Sequence, residues 1–89
     1  NISFLHNNTF EYDGYAISAT RGWITPEDRD FKADDKKIYE RELIRLNNSL
    51  IQAEKIGKCG IIAALHYPPN AAFIDVLNQY NIKYYTYYN

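Results

Sequence analysis

His66 is the residue of this sequence with the clearest potential for chemistry. It directly follows the apolar run Gly60–Leu65, which is typical of a strand buried in the middle of a sheet, and it precedes the rigid sequence Tyr67-Pro68-Pro69. Open α/β sheets bind ligands at the carboxyl ends of their strands, so an imidazole at this point is expected at a functional edge. A hydrogen bond from the ring to a loop carbonyl is an alternative of equal weight.

Arg21 and Cys59 are further candidates, and each also has a structural interpretation. Arg21 follows a predicted strand, and its planar guanidinium could bind a substrate phosphate. We favour the alternative that Arg21 and Trp23 hold their loop in place by stacking and hydrogen bonding. Cys59 follows Lys58, whose charge could activate the thiol, but a position just before a buried strand favours an inert thiol.

Two clusters of side chains complete the candidates. An acidic cluster could attract a cation, yet it lacks the glycine and glutamate spacing of a calcium loop, so a solvated loop with a helix cap is favoured. A tyrosine cluster near the end of the chain could stack on bases. With Lys83 as the one nearby cation, we favour a strand covered on both faces, or an unnaturally exposed end. The clusters are Asp28, Asp30, Asp34 and Asp35, and Tyr84, Tyr85, Tyr87 and Tyr88.

The elements that must position these residues follow from the hydrophobic pattern. Short β-compatible runs predict three strands of an antiparallel meander, with an Asp13-Gly14 turn between the second and third. A loop over 20–35 follows, and Asp34 or Asp35 is expected to cap the next helix. The three predicted strands are Ile2–His6, Thr9–Tyr12 and Tyr15–Ala19.

One long helix, ending at Ile56 before Gly57, is the most periodic part of the sequence. Its apolar residues recur at spacings of three and four, which places them on one face. Glu42 and Arg45 are expected on the wetter side of the helix. The apolar stripe consists of Tyr39, Leu43, Leu46, Leu50 and Ala53, widened by Ile44 and Ile51.

A strand, helix and strand follow the long helix. Gly60–Leu65 is the first strand, Asn70 is a candidate cap for a short helix, and 82–87 is the second strand. Such a βαβ unit is expected to be right-handed, with parallel strands. The fold class is therefore α/β in a single domain.

Composition excludes several classes of protein. The chain has 89 residues with ordinary hydrophobic and charged content, which argues against disorder. Its net charge of −1 offers no field for nucleic acid or an anionic membrane, and its longest apolar run is too short to span a bilayer. One cysteine permits no intrachain disulfide, which favours a reducing, cytoplasmic location. Because the sequence lacks methionine, residue 1 is not expected to be the natural start.

The run Ile62-Ala63-Ala64-Leu65-His66-Tyr67-Pro68-Pro69 resembles the strand and His-x-Pro-Pro element of calcineurin-like metallophosphoesterases. The helix around 39–50, the segment Thr20-Arg21-Gly22-Trp23-Ile24 and the opening Phe4-Leu5-His6-Asn7 are similar to a bacterial branch of that family. The resemblance covers nearly the whole chain.

The resemblance implies a sandwich of two β-sheets flanked by helices, with a pair of divalent metals (Mn, Fe or Zn) that activates water to hydrolyse phosphate mono- or diesters. His66 is the one metal ligand that it transfers to this chain, and Arg21 is the candidate for binding the substrate. The family's Asp-x-His, Gly-Asp-x-x-Asp, Gly-Asn-His and Gly-His-x-His elements do not occur here. We therefore expect the chain to be the C-terminal part of a longer phosphoesterase, inactive by itself.

A second hypothesis is a small non-catalytic α/β module that acts through protein association. The missing ligands favour it, as does the tyrosine-rich end, which could pair as an edge strand with a partner. Half a sandwich would also leave an apolar sheet face uncovered, so self-association of the isolated chain is expected.

Overall fold

The computed structural model describes residues 8–87, which form one α/β unit with a four-stranded mixed sheet and two helices. The predicted strand Ile2–His6 lies outside the described residues. In chain order the elements are β1 (Asn8–Tyr12), β2 (Tyr15–Thr20), α1 (Ala33–Ile56), β3 (Gly60–Leu65), α2 (Ala71–Leu77) and β4 (Ile82–Tyr87).

The strands follow their sequence order across the sheet, β1-β2-β3-β4. β1 and β2 form the predicted antiparallel hairpin, and both turn residues have positive φ angles, 54° at Asp13 and 86° at Gly14. Two positive φ angles are the geometry of the tight turn that matches the twist of a hairpin. β3 and β4 are parallel, which confirms the parallel strands of the predicted βαβ unit. β2 and β3 are parallel as well.

The N-cap residue of helix α1 lies two to three residues before the predicted one. Its N-cap residue is Lys32, and Asp35 lies three positions into the helix, where its carboxylate accepts a hydrogen bond of 2.9 Å from the Lys32 amide. The prediction that Asp34 or Asp35 is the N-cap residue is therefore wrong, although Asp35 does satisfy a free amide at this terminus. Gly57 ends the helix as predicted, with its amide bonded to the Ala53 carbonyl.

The core lies between the sheet and the two helices. Alternate residues of β2 and β3 point toward α1, and α2 adds Phe73 and Leu77 to the same cluster. Ile44 and Ile51 are exposed, so the prediction that they widen the buried stripe is wrong. The fully buried apolar side chains include Ala16, Leu46, Leu50, Ala53, Ile61, Ala63, Leu65, Phe73 and Leu77.

The other face of the sheet carries the remaining alternate residues. Ile17, Ile62 and Tyr84 lie side by side across three strands, because Ile17 pairs with Ile62 and Ile62 pairs with Tyr84. The isoleucines are half-buried, and Tyr84 is 62% exposed. Within residues 8–87 both helices pack on the opposite face, so this apolar face is the less covered one.

Candidate functional site

The carboxyl ends of β2 and β3 meet at one edge of the sheet and bring Arg21 next to His66. Thr20 pairs with Leu65 in the parallel register, so the residues that follow them leave the sheet together. The His66 amide donates to the carbonyls of Thr20 at 3.2 Å and Arg21 at 3.1 Å, and the Tyr67 amide donates to the Arg21 carbonyl at 3.1 Å. Arg21 and His66, which are 45 positions apart in the sequence, are therefore joined through their backbones.

Aromatic contacts connect the same loops through their side chains. The half-buried ring of His66 contacts Tyr67 edge-on at 5.2 Å between centroids, and the Tyr67 ring lies 5.5 Å from Trp23. The Arg21 guanidinium lies over the Trp23 ring, 4.7 Å from its centroid. This stacking confirms that Arg21 and Trp23 hold their loop in place, as the sequence favours.

Arg21 also contacts a buried carboxylate of α1. Its Nη2 donates to Oε2 of Glu42 at 3.0 Å, and Arg45 Nη1 donates to the same oxygen at 3.2 Å. Arg41 Nε lies 3.9 Å from it. The Glu42 side chain has no exposed surface, whereas the three arginine side chains are 34%, 44% and 51% exposed for Arg21, Arg45 and Arg41. The prediction that Glu42 lies on the wetter side of the helix is therefore wrong.

A signal for this burial is present in the sequence. Glu42 lies three residues after Tyr39 and four before Leu46, so it belongs to the buried stripe by position. The charge of Glu42 argued against its burial, because a charged residue is seldom fully buried unless it is paired. Two buried oxygens at this end of the helix–sheet interface, Oε1 of Glu42 and Oγ1 of Thr20, have no hydrogen-bond partner among the described residues.

Ser49 forms a second polar contact between α1 and the sheet. Its hydroxyl lies 2.6 Å from Ser18 Oγ on β2 and 2.9 Å from Thr9 Oγ1 on β1. Ser18 is completely buried and Ser49 nearly so. This network fixes the helix over the hairpin, since buried hydroxyls are costly without hydrogen-bond partners.

The acidic cluster serves the local backbone. Asp28 accepts from the Asp30 amide at 2.8 Å, while Asp35 accepts from the Lys32 amide and, at 3.0 Å, from the Trp23 indole. The hydrogen bond from the Lys32 amide is the main cause that holds the pKa of Asp35 below its usual range, and the hydrogen bond from the Trp23 indole is the second. Likewise, the Asn70 amide that donates to Glu27 is the leading cause that lowers the pKa of Glu27. These contacts agree with a solvated loop and a helix terminus.

The described residues do not supply a complete set of ligands for the metal site that the resemblance implies. In the described part of the chain, no group of three or more histidine, cysteine, aspartate or glutamate side chains is arranged to hold a metal ion. His66 is the one candidate ligand at the edge formed by β2 and β3. Cys59 lies elsewhere, with an exposed side chain and its amide bonded to the Gly14 carbonyl.

The tyrosine-rich strand β4 forms one edge of the sheet. Tyr84, Tyr85 and Tyr87 are 62%, 43% and 51% exposed, so the prediction of a strand covered on both faces is wrong. Tyr88 lies outside the described residues. A groove of about 320 Å³ runs between β4 and the end of α2, lined in part by Leu77, Ile82 and Tyr85.

Comparisons with protein-family models, with curated proteins and with solved structures give no match to this chain. Neither helix within residues 8–87 has the length and apolar character needed to cross a bilayer.

Proposed function

We propose that this chain is the C-terminal portion of a calcineurin-like metallophosphoesterase domain, in which His66 is a metal ligand. The observation that supports it best is the position of His66 at the joined carboxyl ends of two parallel strands, beside Arg21. Ligand and catalytic groups of open α/β sheets lie at such edges. In the proposed protein a second sheet covers the face of Ile17 and Ile62, which completes the sandwich.

One imidazole does not fit a pair of divalent metals by itself. A dinuclear centre needs further oxygen and nitrogen ligands, which residues 8–87 do not bring together. The proposal therefore requires these ligands to come from outside the described residues. Within them, Arg21 is the candidate for binding a phosphate ester, since its guanidinium is oriented by Trp23 and Glu42 and is one-third exposed.

The test is substitution of His66→Ala in the protein produced from its natural gene. Bound manganese, iron and zinc are measured by mass spectrometry, and hydrolysis of p-nitrophenyl phosphate and its diester is measured in parallel. We expect metal content and turnover to fall together, because the ligand holds the metal that activates water. The matched control is His6→Ala, since His6 is the other histidine and matches no metal motif. Unchanged metal content and turnover in a folded His66→Ala protein would refute the proposal.

A second candidate function is association through the β4 edge, with a second copy of this chain as the partner. The observation that favours it is a strand of six residues at the sheet edge, with three exposed tyrosines and Lys83 as its sole charged residue. An exposed edge with little charge is a template for pairing with another strand.

Sedimentation velocity tests this association. We expect a concentration-dependent dimer, and Tyr84→Lys should convert it to monomer because a charge on the edge opposes pairing. Tyr12→Lys is the matched control, since Tyr12 is 70% exposed on the opposite edge strand. A monomer at all concentrations, or equal effects of the two variants, would exclude the β4 edge as the interface.

A further inference from the structure

Three arginines surround a single buried carboxylate on α1, and their charges do not balance. Arg21, Arg41 and Arg45 all approach Oε2 of Glu42, at 3.0, 3.9 and 3.2 Å. One negative charge thus faces three positive charges. Among the described residues, no other carboxylate lies within ion-pair distance of these guanidiniums.

The imbalance is an electrostatic cost that a second anion would relieve. Because the guanidiniums approach the same oxygen, they also lie close to one another, and like charges at such distances repel. Solvent reduces the repulsion, since each arginine side chain is one-third to one-half exposed. The same exposure leaves the cluster open to an anion from solution.

The cluster also has the hydrogen-bond donors for such a ligand. A guanidinium carries five N–H donors in a planar fork, and Arg21 and Arg45 each donate one hydrogen bond to Glu42. The remaining N–H groups meet no acceptor within the part of the chain that the structure describes. Stacking on Trp23 and the bond to Glu42 restrict the Arg21 side chain, which lowers the entropy cost of binding.

We propose that Arg21, Arg41 and Arg45 form a binding site for a phosphate-type oxyanion, with Glu42 as the residue that positions the guanidiniums. A tetrahedral phosphate fits better than a carboxylate, because it can carry two negative charges against the residual two positive charges and offers more acceptor oxygens. The site shares Arg21 with the proposed phosphoesterase function, but it is built without His66 and without a metal, so phosphate binding at the arginines can fail or succeed separately from the metal-ligand role of His66.

Inorganic phosphate is the probe, titrated into ¹⁵N-labelled protein in the presence of EDTA and at constant ionic strength balanced with sodium chloride. The Nε–Hε signals of the three arginines are followed by NMR. We expect saturable shifts at these signals. Arg45→Ala should weaken phosphate binding by about tenfold or more, as the loss of a charge-assisted hydrogen bond predicts. Phenyl phosphate in a parallel titration distinguishes a phosphate ester from free phosphate as the preferred ligand.

The matched control is Lys58→Ala, which removes an equal charge from an exposed position outside the cluster. It should change the affinity by less than twofold. If Arg45→Ala fails to fold, Arg41→Ala replaces it, because Arg41 makes the longest contact and is the most exposed of the three. Equal effects of the arginine and lysine variants, or arginine signals that do not move, would overturn the site. Removal of metal by EDTA makes this result independent of the role of His66.

Discussion

Replacing Glu42 by glutamine tests whether the buried carboxylate stabilises this fold. The substitution preserves side-chain shape and one carbonyl acceptor but removes the charge shared by Arg21 and Arg45. Hydrogen bonds to charged groups contribute about 1.5–3 kcal/mol each, against about 0.5–1.5 kcal/mol for neutral ones. Because both guanidinium donors stay charged, the two weakened bonds cost at most about 2–3 kcal/mol.

Part of that cost is offset because a neutral amide is less costly to bury than a carboxylate. The arginines also regain water, since their side chains are already partly exposed. We expect Glu42→Gln to lower the free energy of unfolding by about 1–2 kcal/mol, after both terms are combined. For a domain of this size, each kcal/mol corresponds to a fall of about 4–8 °C in Tm.

Urea unfolding followed by circular dichroism at neutral pH measures the change, with the slope m as a check that the unfolded state is unaltered. Arg41→Gln is the matched control, because its 3.9 Å contact is long and half-exposed, and exposed ion pairs contribute little. A double-mutant cycle of Arg21→Ala and Glu42→Gln isolates the coupling between the closest pair. A Glu42→Gln protein that is as stable as the wild type would show that desolvation of the carboxylate cancels its ion pairs.

Two other perturbations follow from contacts of α1. Ser49→Ala should cost about 1–3 kcal/mol in the free energy of unfolding, because the fully buried Ser18 hydroxyl loses its 2.6 Å partner. Adding Ser18→Ala should recover part of that loss, and simple additivity in urea unfolding would contradict the network. The pKa of Asp35 in the folded protein is lowered from the ordinary value of 3.8. The ionised carboxylate therefore stabilises the fold fully above pH 3.8, and this stabilisation is lost as the pH falls through the folded pKa. NMR titration of the Asp35 carboxyl carbon measures this pKa, and a value at or above 3.8 would contradict the prediction. The Asp35→Asn variant should lack the acid-dependent part of the stability.

Local patterns in the sequence were sufficient to predict most elements of this fold. The Asp13-Gly14 pair predicted the hairpin because its φ requirement is a property of two adjacent residues. Asn70 predicted the start of α2 for a similar reason, since its side chain accepts from the Phe73 amide, three residues away. The periodicity of α1 predicted its length and most of its buried face.

The parts that sequence did not predict depend on contacts between distant residues. The position of Glu42 in the buried stripe could be read from α1, but one partner of its buried charge, Arg21, comes from the loop after β2 and lies outside any pattern of α1. Ile44 and Ile51 are apolar but lie beside the buried stripe, and hydropathy alone does not fix its edges. The exposure of the β4 tyrosines was not predicted either, because strand propensity does not distinguish an edge strand from a central strand.

The order of the strands also has a consequence for how the molecule folds. The β1–β2 hairpin and the helix α1 consist of local contacts, which form in microseconds or less. The parallel pair β2–β3 joins segments separated by the whole loop and α1, so its closure carries a larger loss of chain entropy and comes later. Until that pairing forms, Ile61 and Leu65 cannot pack in the core, and the carboxyl ends of β2 and β3 do not bring Arg21 next to His66. The candidate site is thus assembled by the slowest class of contact in the fold.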